Sequence, residues 1–168
     1  MIEYSFTTRT GKDKENEDCF RTVSADGVDV FVLTDGMGGR SLGAEAARLV
    51  AETMCVYPWN KKDVGRCIIE SLCNADNSLK QRSEEMHFKM GCAVGCLVIT
   101  DGEISYAGLG DVRLYIRGFA GDYKQLAKQL NCIMSNTIND MCLSIKKTLP
   151  LRYVLLPLPI ESIHAHIL

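Results

Sequence analysis

The sequence has no run of apolar residues near the roughly 18 that a membrane-crossing helix needs, so none of it reads as a membrane span. It also lacks a basic run and an RNA-binding aromatic motif, and a net charge of −2 gives no general pull toward nucleic acid or an anionic membrane. Met1 to Arg9 lacks the charged-then-apolar layout of a signal peptide. The expectation is a cytoplasmic chain with neither a nucleic-acid nor a membrane partner. Zinc-type spacing is missing too. Cysteines stand at 19, 55, 67, 73, 92, 96, 132 and 142; none forms a CxxC pair, and the three histidines do not cluster with them. Reduced core thiols are the better reading. Cys92 and Cys96 share one strand face and read as packing residues, and His164 and His166 make no complete site.

What is present is ordinary for one globular domain: 168 residues, 46% apolar and 24% charged. Ile2 to Arg9 alternates and reads as a strand. Asp26-Gly27 and Asp101-Gly102 are two-residue hairpin signals, because both turn positions want positive φ. They join strands at Cys19–Ser24 and Val28–Thr34, and at Cys92–Ile99 and Glu103–Leu109. Between the hairpins, apolar spacing predicts a helix from Ser41 to about Val56 and another from Lys61 to about Met86, separated by Pro58-Trp59-Asn60. Val112–Arg117 reads as a further strand, and Cys132–Lys147 as a candidate helix. Leu149–Leu168 holds three prolines and a patchy apolar run. Hairpins dominate, so the fold class is α+β with antiparallel sheets.

The first hairpin has a chemical consequence. A two-residue turn at Asp26-Gly27 puts Asp18 opposite Asp35, with Cβ atoms about 4.5–5.5 Å apart. Two carboxylates that close repel unless a proton or cation lies between them. Converging carboxylates suit hard ions such as Mg²⁺ or Mn²⁺. Taken singly, either aspartate also fits a loop-end carboxylate or a cap. The second hairpin places Asp111 opposite Cys92, again at the open end; spacing alone does not bring the two open ends together. Gly36 to Gly39 follows Asp35 directly. It is not a P-loop, since no Gly-Lys-Ser/Thr follows, and Ser41 occupies the third glycine position of a dinucleotide pattern.

Asn16-Glu17-Asp18 resembles the NED motif, and Thr34-Asp35-Gly36-Met37-Gly38-Gly39 the DGMGG motif, of the protein phosphatase 2C (PP2C) family in its bacterial form. Met90-Gly91-Cys92-Ala93 is similar to the family's MGTT segment with both threonines replaced. Gly110-Asp111-Val112-Arg113 is similar to GDSR with Val for Ser, and Gln125 to Lys128 more distantly resembles QLTxDH. The order and spacing agree from Ile2 to Leu130. The resemblance implies a β-sandwich flanked by helices, with a two-metal centre at one edge that uses Mg²⁺ or Mn²⁺. It implies Asp18, Asp35 and the Gly36 carbonyl as metal ligands, Glu17 as their support, and Asp111 at an additional metal position. The implied activity is hydrolysis of phosphoserine or phosphothreonine in a phosphoprotein substrate, by in-line attack of a metal-activated water.

The chain departs from the family pattern twice. Five residues before Asp18, where many members carry a phosphate-binding arginine, stands Asp13; its neighbours Lys12 and Lys14 are candidate substitutes, each a point charge rather than a bidentate fork. After Asp111 only Asp122 and Asp140 remain, followed by Tyr123 and Met141, and neither matches the family's late DG and DN aspartates. The expectation is therefore a phosphatase-like domain over residues 1–130, truncated before those acids, with a divergent tail over 131–168. The alternative is a catalytically inactive module of the same fold that binds a partner or phosphoprotein.

Overall fold

A computed structural model of the chain describes residues 4–8, 15–37, 42–112, 115–117, 123–125, 144–148 and 163–167. Its elements, in chain order, are β1 (Tyr4–Thr8), β2 (Asp18–Ala25), β3 (Val28–Met37), α1 (Leu42–Cys55), α2 (Val64–Met86), β4 (Gly91–Thr100), β5 (Glu103–Leu109), β6 (Tyr115–Arg117), β7 (Tyr123–Gln125), β8 (Ser144–Thr148) and β9 (Ile163–Ile167). Five strands form an antiparallel sheet in the order β2-β3-β4-β5-β8, while β1 pairs with β9 and β6 with β7.

Both hairpins turn where the sequence predicts. Asp26 and Gly27 have φ of 52° and 75°, and Asp101 and Gly102 have 45° and 82°, the conformation that a two-residue turn between right-twisted strands requires. Alternation then sorts the side chains. Val28, Val30, Val32 and Thr34 of β3 face α1 and join Val50, Met54, Ile68, Leu72 and Leu79 of the helices in one core. The opposite face of the sheet carries Phe20 and Phe31, covered by the rings of Tyr4 and Phe6 from β1 at centroid distances of 4.9–6.0 Å. β4 lies third of five strands with layers on both faces, and so is buried along its whole length. The arrangement is the antiparallel sandwich with flanking helices that the sequence leads one to expect.

Helix ends follow local chemistry. α2 starts at Val64 rather than Lys61 because the Asp63 carboxylate accepts from the Arg66 N–H at 3.3 Å, capping the first turn. The indole N–H of Trp59 donates to the Met54 carbonyl at 3.0 Å, meeting one of the orphan acceptors at the end of α1. Arg82 of α2 donates to Glu45 of α1 at 2.6 Å, tying the helices together.

Two expectations need correction. Val112 is not in a strand; the described strand there is Tyr115–Arg117. Helix over Cys132–Lys147 gives way at its end to β8, whose Lys147 and Thr148 pair with Ile104 and Glu103. An exposed edge of β5 is a row of unmet backbone donors and acceptors, and a strand answers it where a helix does not. The rest of that predicted helix lies outside the described residues. Among the described residues, no helix is long and apolar enough to cross a membrane.

Candidate metal centre

The site grows from register. β2 and β3 pair with Asp18 opposite Asp35, and β3 and β4 pair with Asp35 opposite Ala93 and Gly36 opposite Cys92. The ladder continues one residue past β2, since the Gly36 N–H donates to the Glu17 carbonyl at 2.9 Å. Regular pairing of β4 with β5 ends at Val94 and Leu109. There Gly110 takes a φ of 80° and lies so close to β4 that a Cβ on it would meet the Ala93 Cβ at 2.7 Å. Only glycine meets both demands. Asp111 follows, exposed at the same end of the sheet.

The two hairpin ends thus meet through the β3–β4 pairing, which no local signal reveals. Electrostatics registers the meeting. The Asp35 carboxyl is pushed up to about 6, first by burial and then by the negative charges of Asp18, Asp111 and Glu17. One Asp18 carboxylate oxygen is buried. Asn16 holds the main chain beneath it, its Oδ1 accepting from the Asp18 N–H at 3.1 Å.

Behind the aspartates the sheet meets α1 at very short range. A Cβ on Gly36 would lie 1.8 Å from the Gly43 carbonyl oxygen, and a Cβ on Gly43 would lie 2.3 Å from the Glu17 carboxyl carbon. Gly43 is therefore part of the site's frame, though its sequence neighbourhood marked it only as an early helix position. Val112, which stands where GDSR has serine, fills the space above Gly95; a Cβ there would meet Val112 Cγ1 at 2.6 Å. Cys92 is buried, its thiol donates to the Ala93 carbonyl at 3.2 Å, and burial pushes its pKa up, as suits a packing residue. Lys12, Asp13, Lys14, Gly38 and Gly39 lie outside the described residues.

The donor set consists of hard oxygens. Among the described residues, no three His, Cys, Asp or Glu side chains gather closely enough to hold an ion by themselves. Mg²⁺, however, is commonly held by one or two carboxylates with water filling its octahedron, and two opposed aspartates with a neighbouring carbonyl offer donors of that kind.

A model of the protein phosphatase 2C family matches residues 7–155. The chain belongs to this family. The match runs past Leu130, where the last recognisable motif ends. Solved structures with the same fold include the catalytic domain of the serine/threonine phosphatase PstP in complex with two manganese ions, 19% identical with a TM-score of 0.67 over 76% of this chain and 56% of that one. Serine/threonine phosphatase Stp1 of Staphylococcus aureus is 22% identical with a TM-score of 0.68 over 77% and 54% of the two chains. A bacterial serine phosphatase carrying an arginine substitution is 19% identical, with a TM-score of 0.77 over 94% and 76%. The chain spans about half the length of PstP and Stp1. Among curated proteins nothing matches.

Proposed function

We propose that this PP2C-family chain hydrolyses phosphoserine and phosphothreonine in proteins with the help of Mg²⁺ or Mn²⁺. The observation that carries the reading is the register that sets Asp18 opposite Asp35 at the open end of the β2–β3 hairpin, where burial first, and then the charges of Asp18, Asp111 and Glu17, push the Asp35 carboxyl up to about 6. Such a cluster is electrostatically costly until a divalent cation enters it. Asp18, Asp35 and the Gly36 carbonyl are the proposed ligands, with Asp111 at a further metal position. What the cation supplies when bound is a water of lowered pKa and neutralisation of the phosphoryl oxygens. Glu17 lies against Gly43 of α1 and is proposed to support the ligands. Lys12 and Lys14 are proposed to attract the substrate phosphate in place of the family's arginine. The chain is proposed to act in the cytoplasm on phosphoproteins, with residues 1–130 carrying the recognisable motifs of the phosphatase-like part and 131–168, divergent in sequence, adding β8 and β9 to it.

A second reading is favoured by Asp13, which puts a negative charge where many family members carry a phosphate-binding arginine. On that reading the chain binds a phosphoprotein without turnover. Hydrolysis of p-nitrophenyl phosphate and of a phosphothreonine peptide, with Mn²⁺ titrated, separates the two. An enzyme gives metal-dependent turnover that Asp35→Asn abolishes. Folded protein with no turnover at millimolar Mn²⁺, but with retained phosphopeptide binding, supports the inactive module.

A further inference from the structure

Asn16 makes two hydrogen bonds with the two halves of one amide. Its Oδ1 accepts from the Asp18 N–H at 3.1 Å, and its Nδ2 donates to Thr8 Oγ1 at 2.6 Å. Thr8 ends β1 and pairs in register with Ile163 of β9. On the other side, Glu17 is held from β3 by the Gly36 N–H. The three residues Asn16, Glu17 and Asp18 are therefore clamped from both layers of the sandwich, and Asn16 provides the link to the β1–β9 layer. An amide suits the task because it offers an acceptor and a donor on one short side chain. A carboxylate in its place would add charge beside Asp18, and a longer amide would not close the tight turn to the residue two positions on.

We propose that Asn16 is a positioning residue: it sets Asp18 for its cation and couples that ligand to the β1–β9 layer. The inference rests on the metal-site reading above. Groups that orient a ligand commonly change metal affinity by about tenfold when removed. They do so without touching the ion, so the effect falls on metal binding rather than on the chemical step.

The test is Mn²⁺ binding to the full chain by calorimetry, alongside the Mn²⁺ concentration for half-maximal turnover and the limiting rate. Asn16→Ala should weaken Mn²⁺ binding about tenfold while the limiting rate at saturating Mn²⁺ stays within about twofold. Asn16→Ser, whose hydroxyl can accept from the N–H two residues on, should recover part of that loss. Thr8→Val, which removes only the link to β1, should give a smaller loss in the same direction. Wild-type protein that binds Mn²⁺, with Asn16→Ala binding it equally well, overturns the inference and leaves the metal site standing. Wild-type protein that binds no Mn²⁺ overturns the metal-site reading and the inference with it. Should Asn16→Ala not fold, unchanged binding by Thr8→Val overturns the coupling.

Discussion

Gly36 and Gly43 stand back to back, strand against helix, so close that a Cβ on Gly36 would lie 1.8 Å from the Gly43 carbonyl oxygen and 3.0 Å from the Ala47 nitrogen. Both obstacles are helix backbone and cannot swing aside. Gly36→Ala must push α1 off the sheet and should lose about 3 kcal/mol or more. Gly43→Ala differs in kind. Its obstacle is the Glu17 carboxylate, the end of a flexible side chain, and alanine gains up to about 1 kcal/mol of helix propensity. Its stability should stay within about 1 kcal/mol of wild type. Urea midpoints compare the two, and equal losses would refute the asymmetry.

The acid cluster sets a pH dependence for the metal-free chain. Asp35 is raised from 3.8 to about 6 by burial and by Asp18, Asp111 and Glu17. A carboxyl whose folded pKa exceeds its unfolded value contributes stability below the unfolded value and loses it as pH rises through the folded one. Ionised Asp35 therefore weighs against the fold above about pH 6. Asp35→Asn should raise the Tm of metal-free protein more at about pH 7.5 than at about pH 4.5. Millimolar Mn²⁺ should narrow that gap by stabilising wild type alone. A Tm difference flat with pH would show that neither burial nor the neighbouring acids raise the Asp35 pKa.

Which parts of this arrangement the sequence could reveal follows from the range of the forces. Asp26-Gly27 and Asp101-Gly102 fix their hairpins by turn chemistry within two residues, so the Asp18–Asp35 register was legible, and helical spacing gave α1 and α2 to within a few residues. The β3–β4 pairing spans both helices and has no local signature, yet it alone brings Asp111 near Asp35. Gly43 was equally hidden, since its constraint comes from Glu17 on another element. The tail misled for a related reason. β8 and β9 are short strands whose partners, β5 and β1, lie far back in the chain, and the alternation within five residues is too brief to announce them.

Thr34 joins α1 to the sheet beside the site. It is fully buried, and its hydroxyl lies 3.0 Å from the Ala47 carbonyl and 3.1 Å from the Cys19 carbonyl, donating its single proton to one or the other. Thr34→Val keeps the shape and removes the donor. The expected loss is about 1 kcal/mol, the net worth of one such bond, because both carbonyls sit in regular structure with partners of their own. Chemical denaturation measures it. A loss near zero would mean that packing alone holds α1 at this point.

His87 offers the opposite sign. It closes α2 in the left-handed region, at φ 53° and ψ 34°, while the His87 N–H donates to the Glu84 carbonyl and the Phe88 N–H to the Ser83 carbonyl, each at 3.1 Å. Glycine is the residue that this position favours, since a Cβ there is strained by about 1 kcal/mol. His87→Gly relieves that strain but frees the unfolded chain, which takes back part of the gain. The net expectation is a stabilisation of about 0.5 kcal/mol, with His87→Ala near wild type because it keeps the strained Cβ. Tm values of the three proteins, in the order Gly above His and His level with Ala, check the argument. Gly below His would mean that the imidazole itself holds the end of α2, by hydrogen bonding or by its charge against the helix dipole.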